Sequence, residues 1–445
     1  MGYKSMINKI EEILETRDVL LTGGGGVGKS YLATELVSRS KAHAWQVVTL
    51  GSTGVSAVNI NGQTIHSFFA FGICGSLEEL RKHDRYAKGR LSEIKKILKS
   101  CDLLIIDEIS MVSASLLDMI QYRLRSAGFK GRVLFIGDFF QLPPIFKNNN
   151  TSLMNLNQYA FESSAWELMN PLVVELTETK RTDDEAFFAV LSKIRVANID
   201  DDVIAYLKKL RENKSVLERS ATMLFARNHE ADQMNLKKLN ELEGEPIVIK
   251  ALETHHVKKL HENKIKSWKN SLPVPCDLTL KIGAKVLFCT NKWGKYYNGE
   301  RGIVKEIADD YLIIEKENAV VRVDRQEYVM SENISLNGEI EEKPLISLEQ
   351  FPIKLSYAIT IHKSQGMSID ALVCNIDHIF EKSQFYVAIS RAKNPKNLYL
   401  HQTHGDFHRW IEKITTVSQK VIDFYHNSEV RKIEEEPIRY KTIFD

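Results

Sequence analysis

Cysteine is scarce in this chain, and no two cysteines stand in a C-x-x-C pair. The 445 residues include five of them, at Cys74, Cys101, Cys276, Cys289 and Cys374. An odd, scattered set of this kind is typical of reduced thiols in an intracellular protein. The same dispersal excludes a disulfide scaffold and a zinc site built on clustered cysteines.

Long apolar runs and an excess of either charge are also missing. No run approaches the roughly 20 apolar residues of a membrane-spanning helix, and the first residues lack the apolar core of a signal peptide. The net charge is +2, which still allows a basic groove for nucleic acid. We therefore expect a soluble, intracellular protein with no membrane partner, cytoplasmic in a bacterium and nuclear or mitochondrial in a eukaryote.

What the chain does contain is a glycine-rich segment, residues 23–30, with the sequence GGGGVGKS. This phosphate loop fits G-x-x-x-x-G-K-[ST] at every fixed position, between an apolar run and a helical pattern. In such a loop Lys29 neutralises the terminal phosphates and Ser30 offers a hydroxyl to Mg²⁺. The predicted nucleotide contacts are Gly23, Gly24, Gly25, Gly26, Val27, Gly28, Lys29 and Ser30. The sequence thus predicts a nucleotide-binding protein.

Two carboxylates, Asp107 and Glu108, follow a second apolar run. At the carboxyl edge of a parallel sheet such an acid pair holds Mg²⁺ and polarises the attacking water. We predict Asp107 as a metal ligand with Ser30, and Glu108 as the base. A solvated turn is the alternative, which the phosphate loop about 80 residues upstream disfavours. After a further strand, the neutral amide of Gln141 is a candidate sensor of the γ-phosphate.

Short apolar runs alternate with helical patterns in most of the chain, which predicts doubly wound α/β sheets. A second α/β region begins near Arg181. A different pattern at 278–335, with a turn signal at Asn298-Gly299, predicts a small inserted β-barrel. The predicted parallel strands are residues 19–21, 46–50, 103–106 and 132–136 in the first region, and 222–225, 247–249, 371–374 and 397–400 in the second.

Together these segments resemble the Pif (petite integration frequency) family of superfamily-one helicases over about residues 19–400. The segments that match the family's motifs, in chain order, are 53–57 (TGVSA), 64–69 (TIHSFF), 107–112 (DEISMV) with 116–120 (LLDMI), 137–144 (GDFFQLPP), 176–181 (LTETKR), 360–366 (TIHKSQG) and 386–392 (YVAISRA). Residues 280–286 and 298–302 resemble the barrel that the family inserts in its second motor domain.

The resemblance implies two RecA-like parallel-sheet motor domains and an ATP-dependent DNA helicase that moves 5′ to 3′. The implied domains are 1–180 with a small helical insertion at about 55–100, 181–277 with 336–403, the barrel at 278–335, and a C-terminal extension at 404–445. The implied cofactors are ATP and Mg²⁺. The implied partners are single-stranded DNA and 5′-tailed or forked duplexes, with G-quadruplexes and RNA–DNA hybrids as further candidates, for a monomeric motor with roles in repair, replication and telomere maintenance.

The resemblance also assigns residues. Arg181 and Arg391 are implied as arginine fingers, which would reach ATP when the cleft between the motor domains closes. The alternative for each is a surface ion pair. Gln365 and Gly366 are implied to relay between nucleotide and DNA. The implied DNA contacts are Thr53, Thr64, His66, Thr360, His362 and Lys363.

Aromatic and basic side chains allow two interpretations each. Phe68, Phe69 and Phe139 suit base stacking, but aromatics beside strands are more often core. The basic stretch 255–269 suits a backbone groove, but a solvated helix face is favoured.

Two departures from the family pattern affect the prediction. No glutamine precedes Gln46, although the family places one upstream of the phosphate loop to read adenine, and Thr182 stands where the family often has an amide. Three alternatives stay open: a RecD-like or Dda-like helicase, a DNA-stimulated ATPase that remodels protein–DNA complexes, and a nucleotide-gated binding module.

Overall fold

The computed structural model describes residues 2–60, 62–72, 74–84, 88–144, 158–177, 182, 184–218, 221–257, 260–290, 292, 294–296, 300–316, 319–336 and 339–433. The chain divides into two units. The first comprises Met1–Arg181, Asn333–Glu341 and Ser418–Asp445, and the second comprises Thr182–Glu332 and Glu342–Val417.

The elements up to residue 176 alternate strands and helices. In chain order they are α1 (Gly2–Thr16), β1 (Val19–Gly23), α2 (Lys29–Ala42), β2 (Val47–Gly51), α3 (Gly54–Asn59), β3 (Gln63–Thr64), α4 (Ile65–Phe68), α5 (Leu77–Asp84), α6 (Lys88–Ser100), β4 (Leu103–Asp107), α7 (Ala114–Ala127), β5 (Arg132–Ile136), α8 (Ser164–Met169) and β6 (Leu172–Leu176), with 3₁₀ turns at Ile109–Met111 and Ala160–Glu162.

The second unit mixes a parallel sheet with antiparallel strands. Its elements, together with the strands β15 and β16, are α9 (Glu185–Arg195), α10 (Asp201–Glu212), α11 (Ser215–Glu218), β7 (Thr222–Phe225), α12 (Asn228–Asn240), β8 (Ile247–Lys250), β9 (Leu252–His255), α13 (Glu262–Ser271), β10 (Asp277–Leu280), β11 (Lys285–Phe288), β12 (Arg301–Ile307), β13 (Tyr311–Lys316), β14 (Ala319–Asp324), β15 (Gln326–Leu336), β16 (Glu339–Gln350), β17 (Ile353–Leu355), β18 (Ala358–Thr360), β19 (Leu372–Asn375), α14 (Gln384–Ile389), β20 (Leu398–His401) and α15 (Phe407–Ile414). Two further 3₁₀ turns lie at His362–Ser364 and Pro395–Asn397.

The C-terminal elements α16 (Gln419–Asn427) and β21 (Val430–Ile433) return to the first unit. They complete a seven-stranded sheet of order β21-β6-β1-β5-β4-β2-β3, in which every pair is parallel. All five residues of β1 and of β4 are buried, as expected for central strands covered on both faces. The four strands predicted for the first sheet are confirmed. The sequence did not predict β21.

Helix α7 carries the segment that resembles the family signature, and local signals define its ends. The Ser113 hydroxyl accepts a hydrogen bond from the Leu116 N–H at 3.2 Å, and Gly128 ends the helix with a φ of 69°. Such a cap and a left-handed glycine are the usual helix boundaries. Within the helix, buried Arg123 forms a bidentate ion pair with Asp84 of α5 at 2.6 and 2.7 Å. Its Nε donates to the Phe69 carbonyl at 3.1 Å, so one side chain joins α7, α5 and the end of α4.

The second unit contains a parallel sheet of order β18-β7-β19-β20. The strands predicted at 222–225, 371–374 and 397–400 are confirmed. The segment 247–249 is a strand, as predicted, but its assignment to the parallel sheet is wrong, because β8 pairs antiparallel with β10 outside this sheet. Ile247 and Val248 are exposed and only Ile249 is buried, which suits a short peripheral strand. A three-residue apolar run does not distinguish the two cases.

Antiparallel strands occupy a longer stretch than the predicted 278–335. One sheet has the order β14-β13-β12-β11-β17, and another has the order β15-β16-β9. The buried side chains of the five-stranded sheet pack with those of β8 and β10. At the centre of this cluster, the rings of Phe288 and Tyr296 stack with 4.2 Å between their centroids. The turn signal at Asn298-Gly299 lies outside the described residues. In the described part of the chain, no helix combines the length and apolar character needed to cross a bilayer.

Candidate active site

The phosphate loop joins β1 to α2 in the first unit. Gly28 has a φ of 90°, and α2 begins directly after it at Lys29, which brings the positive end of the helix dipole to the loop. Gly23 has a φ of 138°, and a Cβ there would lie 2.4 Å from the Leu176 carbonyl oxygen of β6. Both positions therefore require glycine. The loop has the geometry that the motif predicts.

The Lys29 side chain folds back on its own loop. Its ammonium donates hydrogen bonds to the carbonyl oxygens of Gly23 at 2.7 Å and Gly24 at 3.0 Å. The neighbouring Ser30 is exposed in the first turn of α2. The ammonium thus lies at the strand end of the loop, and the Ser30 hydroxyl lies where the loop meets the helix.

The acid pair ends β4, the strand between β5 and β2. Asp107 is 4% exposed. Burial raises the pKa of its carboxyl, the charge of Glu108 raises it further, and the ammonium of Lys29 opposes the rise. Two close carboxyl groups with little access to water favour a bound cation, and carboxylate oxygens are ligands that Mg²⁺ accepts. The pair therefore fits the magnesium site predicted from the sequence.

Glu108 has a left-handed backbone, with φ 54° and ψ 51°. This conformation costs a non-glycine residue on the order of 1–3 kcal/mol and concentrates at functional sites. The sequence carries no signal for it.

Three strand ends bring the predicted nucleotide residues to one edge of the first sheet. Asp107 pairs with Ile136 in the β4–β5 register, and the Gly137 N–H donates to the Leu21 carbonyl at 3.1 Å. The ends of β1, β4 and β5 are therefore level. In the turn after β5, Gln141 is buried and its N–H donates to the Asp138 carbonyl at 2.8 Å. This carboxyl edge holds the phosphate loop, the acid pair and Gln141.

The predicted DNA contacts of the first unit follow β2 and β3 at the same edge. The Ser52 N–H donates to the Asp107 carbonyl at 3.2 Å, which ties the loop of Thr53 to the acid pair. Thr64 caps α4, accepting from the Ser67 N–H at 3.3 Å, and His66 is exposed two residues later, within the first turn of that helix. The three predicted residues thus lie on two segments, Thr53 in the loop after β2 and Thr64 and His66 at the junction of β3 with α4.

The aromatic candidates for base stacking are core residues. Phe68, Phe69 and Phe139 are fully buried or nearly so. Phe69 stacks on Phe71 with 5.3 Å between ring centroids, and Phe139 meets Phe161 edge-on at 4.9 Å. Their faces are occupied by protein, as the favoured interpretation expects.

In the second unit, the end of β18 and the 3₁₀ turn that follows it hold three predicted DNA contacts, Thr360 in the strand and His362 and Lys363 in the turn. Thr360 is buried, and its hydroxyl accepts from the Lys363 N–H at 3.3 Å. The His362 Nε2 lies 2.9 Å from a carboxylate oxygen of Glu381. Lys363 is exposed. Thr360 is therefore committed to shaping the turn, and Lys363 offers the accessible charge.

The basic stretch 255–269 contains helix α13. Lys264 and Lys266 are exposed, and Lys269 forms an ion pair with Glu253. The lysines of this helix thus lie on a solvated face, as the favoured interpretation of the basic stretch expects. Lys258 and Lys259 lie outside the described residues.

Arg391 is 1% exposed and braces the turn that contains Gly366. Its Nε donates to the Val387 carbonyl at 2.9 Å, and its Nη1 lies 3.5 Å from the carbonyl oxygens of Ser364 and Met367. Gly366, between these carbonyls, has a φ of 76°. Arg391 thus joins the two motifs of the second unit.

The other predicted finger, Arg181, lies outside the described residues. Its neighbour Thr182 is buried, and the Thr182 hydroxyl accepts from the Asp184 N–H at 3.2 Å. Where the family often has an amide, this chain therefore uses a hydroxyl to fix the start of α9.

Sequence reasoning missed one residue at this site. The Tyr425 hydroxyl of α16 lies 2.8 Å from the Thr22 hydroxyl and accepts a hydrogen bond from the Phe139 N–H at 3.2 Å. An amphipathic C-terminal helix with aromatic residues was visible in the sequence, but no local pattern relates it to the phosphate loop.

Comparisons with known proteins agree with this geometry. The family model described as PIF1-like helicase matches residues 3–203. The ATP-dependent DNA helicase Pif1 of Campylobacter jejuni is 40% identical over 447 residues, covering 97% of this chain and 100% of that protein.

Solved structures extend the comparison to the fold. Pif1 from a Bacteroides species, crystallised with ADP-AlF4, has a TM-score of 0.80 and 26% identity, with 96% of each chain covered. A Bacteroides Pif1 bound to single-stranded DNA has a TM-score of 0.66 and 26% identity, covering 96% of this chain and 97% of that one. With its phosphate loop, acid pair and two RecA-like domains, this chain belongs to the PIF1-like helicase family and is an ATP-dependent DNA helicase.

Proposed function

We propose that this helicase hydrolyses Mg²⁺-ATP at the carboxyl edge of its first sheet and moves 5′ to 3′ along single-stranded DNA, unwinding the duplex ahead. The observation that carries the coupling of hydrolysis to DNA in this proposal is the hydrogen bond from the Ser52 N–H to the Asp107 carbonyl, and the direction is inferred from the family resemblance. It joins the loop of Thr53 to the acid pair, so a change at the nucleotide has a direct route to a DNA-contacting loop.

Each residue of the nucleotide site has a role that suits its chemistry. Lys29 leaves the loop carbonyls and neutralises the terminal phosphates, with the N–H groups of residues 23–30 around them. Ser30 and Asp107 would hold Mg²⁺, which when bound neutralises phosphate charge. Glu108 orients the attacking water and accepts its proton, and the Gln141 amide responds to the γ-phosphate.

The arginines complete the site in this proposal. Arg181 and Arg391 stabilise the charge that develops on the γ-phosphate, as arginine fingers do. Support for Arg391 comes from its contacts around Gly366, because a guanidinium that moves toward phosphate would release that turn. Hydrolysis and the DNA-contacting segment 360–363 would then be coupled within the second unit.

The DNA track in this proposal runs over Thr53, Thr64 and His66 and over His362 and Lys363, with Thr360 supporting the second group. Contacts of this type reach phosphates and sugars, so binding is independent of sequence and weakens with salt. The motor domains divide near residue 180, and the inserted β-rich region interrupts the second of them, whose parallel sheet resumes with β18. G-quadruplexes and RNA–DNA hybrids are candidate substrates of a monomeric motor.

A strand-displacement assay tests the proposal. We expect unwinding of duplexes with a 5′ single-stranded tail or a fork, in the presence of ATP and Mg²⁺, and none of 3′-tailed or blunt duplexes. Unwinding of the 3′-tailed duplex alone would refute the direction. DNA-stimulated ATP hydrolysis with no displacement would favour a remodelling ATPase, and DNA binding gated by ATP without hydrolysis would favour a binding module.

A further inference from the structure

The C-terminal helix α16 meets the nucleotide site through one side chain, Tyr425. Its hydroxyl lies between two segments of the first unit, 2.8 Å from the Thr22 hydroxyl and 3.2 Å from the Phe139 backbone nitrogen. Thr22 directly precedes the first glycine of the phosphate loop, and Phe139 stands two residues before Gln141. One phenol therefore bonds to both segments that the proposed mechanism requires to respond to the nucleotide.

The ring of Tyr425 also contacts the first unit. It stacks on Phe140 with 4.9 Å between centroids and 9° between planes. The preceding Phe424 stacks on Phe161 at 4.4 Å and meets Phe139 edge-on at 5.3 Å. Aromatic pairs of this kind contribute beyond simple burial, so the stacking on Phe140 and the packing of the adjacent Phe424 together hold the phenol in place.

The rest of the C-terminal segment is anchored to the same unit. Lys420 forms an ion pair with Glu162, and Arg17 contacts Glu429 at 3.3 Å. Strand β21 pairs with β6 from Val430 to Ile433, where Ile433 lies opposite Leu176. The Leu176 carbonyl is the group that a Cβ at Gly23 would strike. The segment thus borders the phosphate loop through β6 as well as through Tyr425.

We infer that Tyr425 is a positioning residue for ATP hydrolysis, which couples the phosphate loop to the turn that carries Gln141. This inference rests on the proposed role of Gln141 as the γ-phosphate sensor. Thr22 and Phe139 are both buried, so a shift of the loop when phosphate binds passes through the shared hydroxyl to the turn. Tyr425 touches no reacting atom and acts through Gln141.

The hydroxyl, and not the ring, carries this role. Tyr425→Phe keeps the stacking on Phe140 but leaves the Phe139 N–H and the Thr22 hydroxyl without this partner in a buried setting. A displaced catalytic group can cost on the order of 100-fold in rate. We expect kcat for DNA-stimulated ATP hydrolysis to fall about 10- to 100-fold, with KM for ATP changed less than about threefold. Thr22→Val removes the opposite hydroxyl and is expected to act in the same direction.

The experiment compares the full chain with Tyr425→Phe, Thr22→Val, Gln141→Ala and the Tyr425→Phe/Gln141→Ala double variant, by steady-state kinetics and thermal unfolding. The matched control is Tyr311→Phe, which removes a hydroxyl bonded to Glu306 at 2.7 Å on the second unit and is expected to keep wild-type kcat. If Tyr425 acts through Gln141, the double variant is no slower than Gln141→Ala alone.

The outcomes separate this inference from the proposal beneath it. If Gln141→Ala lowers kcat and Tyr425→Phe does not, the inference about Tyr425 is overturned, and the sensor role of Gln141 still holds. Additive losses in the double variant would also overturn it, because Tyr425 would then act independently of Gln141. Normal kcat in Gln141→Ala would refute the sensor role itself. A lower melting temperature in Tyr425→Phe with unchanged kcat would show a purely structural contact and contradict the inference.

Discussion

The ammonium of Lys29 lies 2.7 Å from the carbonyl oxygen of Gly23, the first residue of its own loop. The charge that the proposal assigns to ATP phosphates is thus held by backbone dipoles of the phosphate loop. Binding of a triphosphate exchanges these carbonyls for phosphate oxygens, which are far stronger partners for a cation. The exchange makes the loop responsive to its ligand.

Lys29→Ala should therefore abolish ATP hydrolysis while nucleotide-free binding of single-stranded DNA stays near wild type. ATPase rates and fluorescence anisotropy measure the two activities. Lys41→Ala, at an exposed position near the end of the same helix, is the control and should match wild type in both. Substantial hydrolysis by Lys29→Ala would show that the site is elsewhere.

Substitution of Glu108 should separate chemistry from stability. Glu108→Gln should bind ATP but turn over poorly, because only water activation is lost. Glu108→Gly should be equally inactive yet more stable, with a free energy of unfolding about 1 kcal/mol higher, because glycine relieves the left-handed backbone strain. ATP binding, ATPase rate and urea unfolding test the pair. A Glu108→Gly protein less stable than wild type would argue against strain at this residue.

Loss of Arg391 should lower kcat more than it changes KM for ATP, because a finger acts in the transition state. Such a residue can contribute on the order of 10³–10⁵ in kcat. Since Arg391 is buried against backbone carbonyls, Arg391→Ala should also lower the melting temperature, and kinetics must be measured well below it. Arg181→Ala should give the kinetic loss as well. Unchanged kcat in both would make them structural.

Base selectivity should be weak. The chain has no glutamine before Gln46 to read adenine, and contacts to phosphates ignore the base. We expect kcat/KM for GTP within about tenfold of that for ATP, a difference of about 1.4 kcal/mol. Competition kinetics with the two triphosphates measure the ratio. A preference for ATP of a hundredfold or more would point to another adenine-reading group.

The ion pair of Arg123 and Asp84 should be a stability determinant. Arg123→Met leaves the Asp84 carboxylate poorly solvated, and breaking a pair of this kind costs about 3 kcal/mol. Urea unfolding should show the loss, and the double variant Arg123→Met/Asp84→Asn should recover part of it. Equal stability of wild type and Arg123→Met would mean that water replaces the pair without cost.

The parts of the fold and site that the sequence predicted are those written in contiguous residues. The phosphate loop, the acid pair and the buried strand β4 each combine composition and order within a few positions, so local rules suffice. The level ends of β1, β4 and β5 follow once a parallel sheet is assumed. For the same reason, the sequence alone is enough to expect the turn that carries Gln141 beside the phosphate loop.

The parts that the sequence missed depend on distant partners or on backbone angles. Ile247–Lys250 reads as a buried strand, but its environment is set by β10. Tyr425 and Phe139 are 286 positions apart, and no spacing rule spans that distance. The left-handed angle of Glu108 is likewise imposed by its surroundings, because glutamate has no preference for it.

Because β21 pairs with β6, the first sheet can be completed only after residues 430–433 have been synthesised. At about 5–20 residues per second, Tyr425 emerges roughly 15–60 s after Phe139. From its own synthesis until β21 emerges, β6 is an open, apolar sheet edge, the kind of surface that promotes mispairing between nascent chains. A gene fragment ending at residue 181 would encode a permanent version of this unfinished state. A circular permutant that places residues 418–433 before residue 2 would let the ATP-binding unit close its sheet before the rest of the chain is translated.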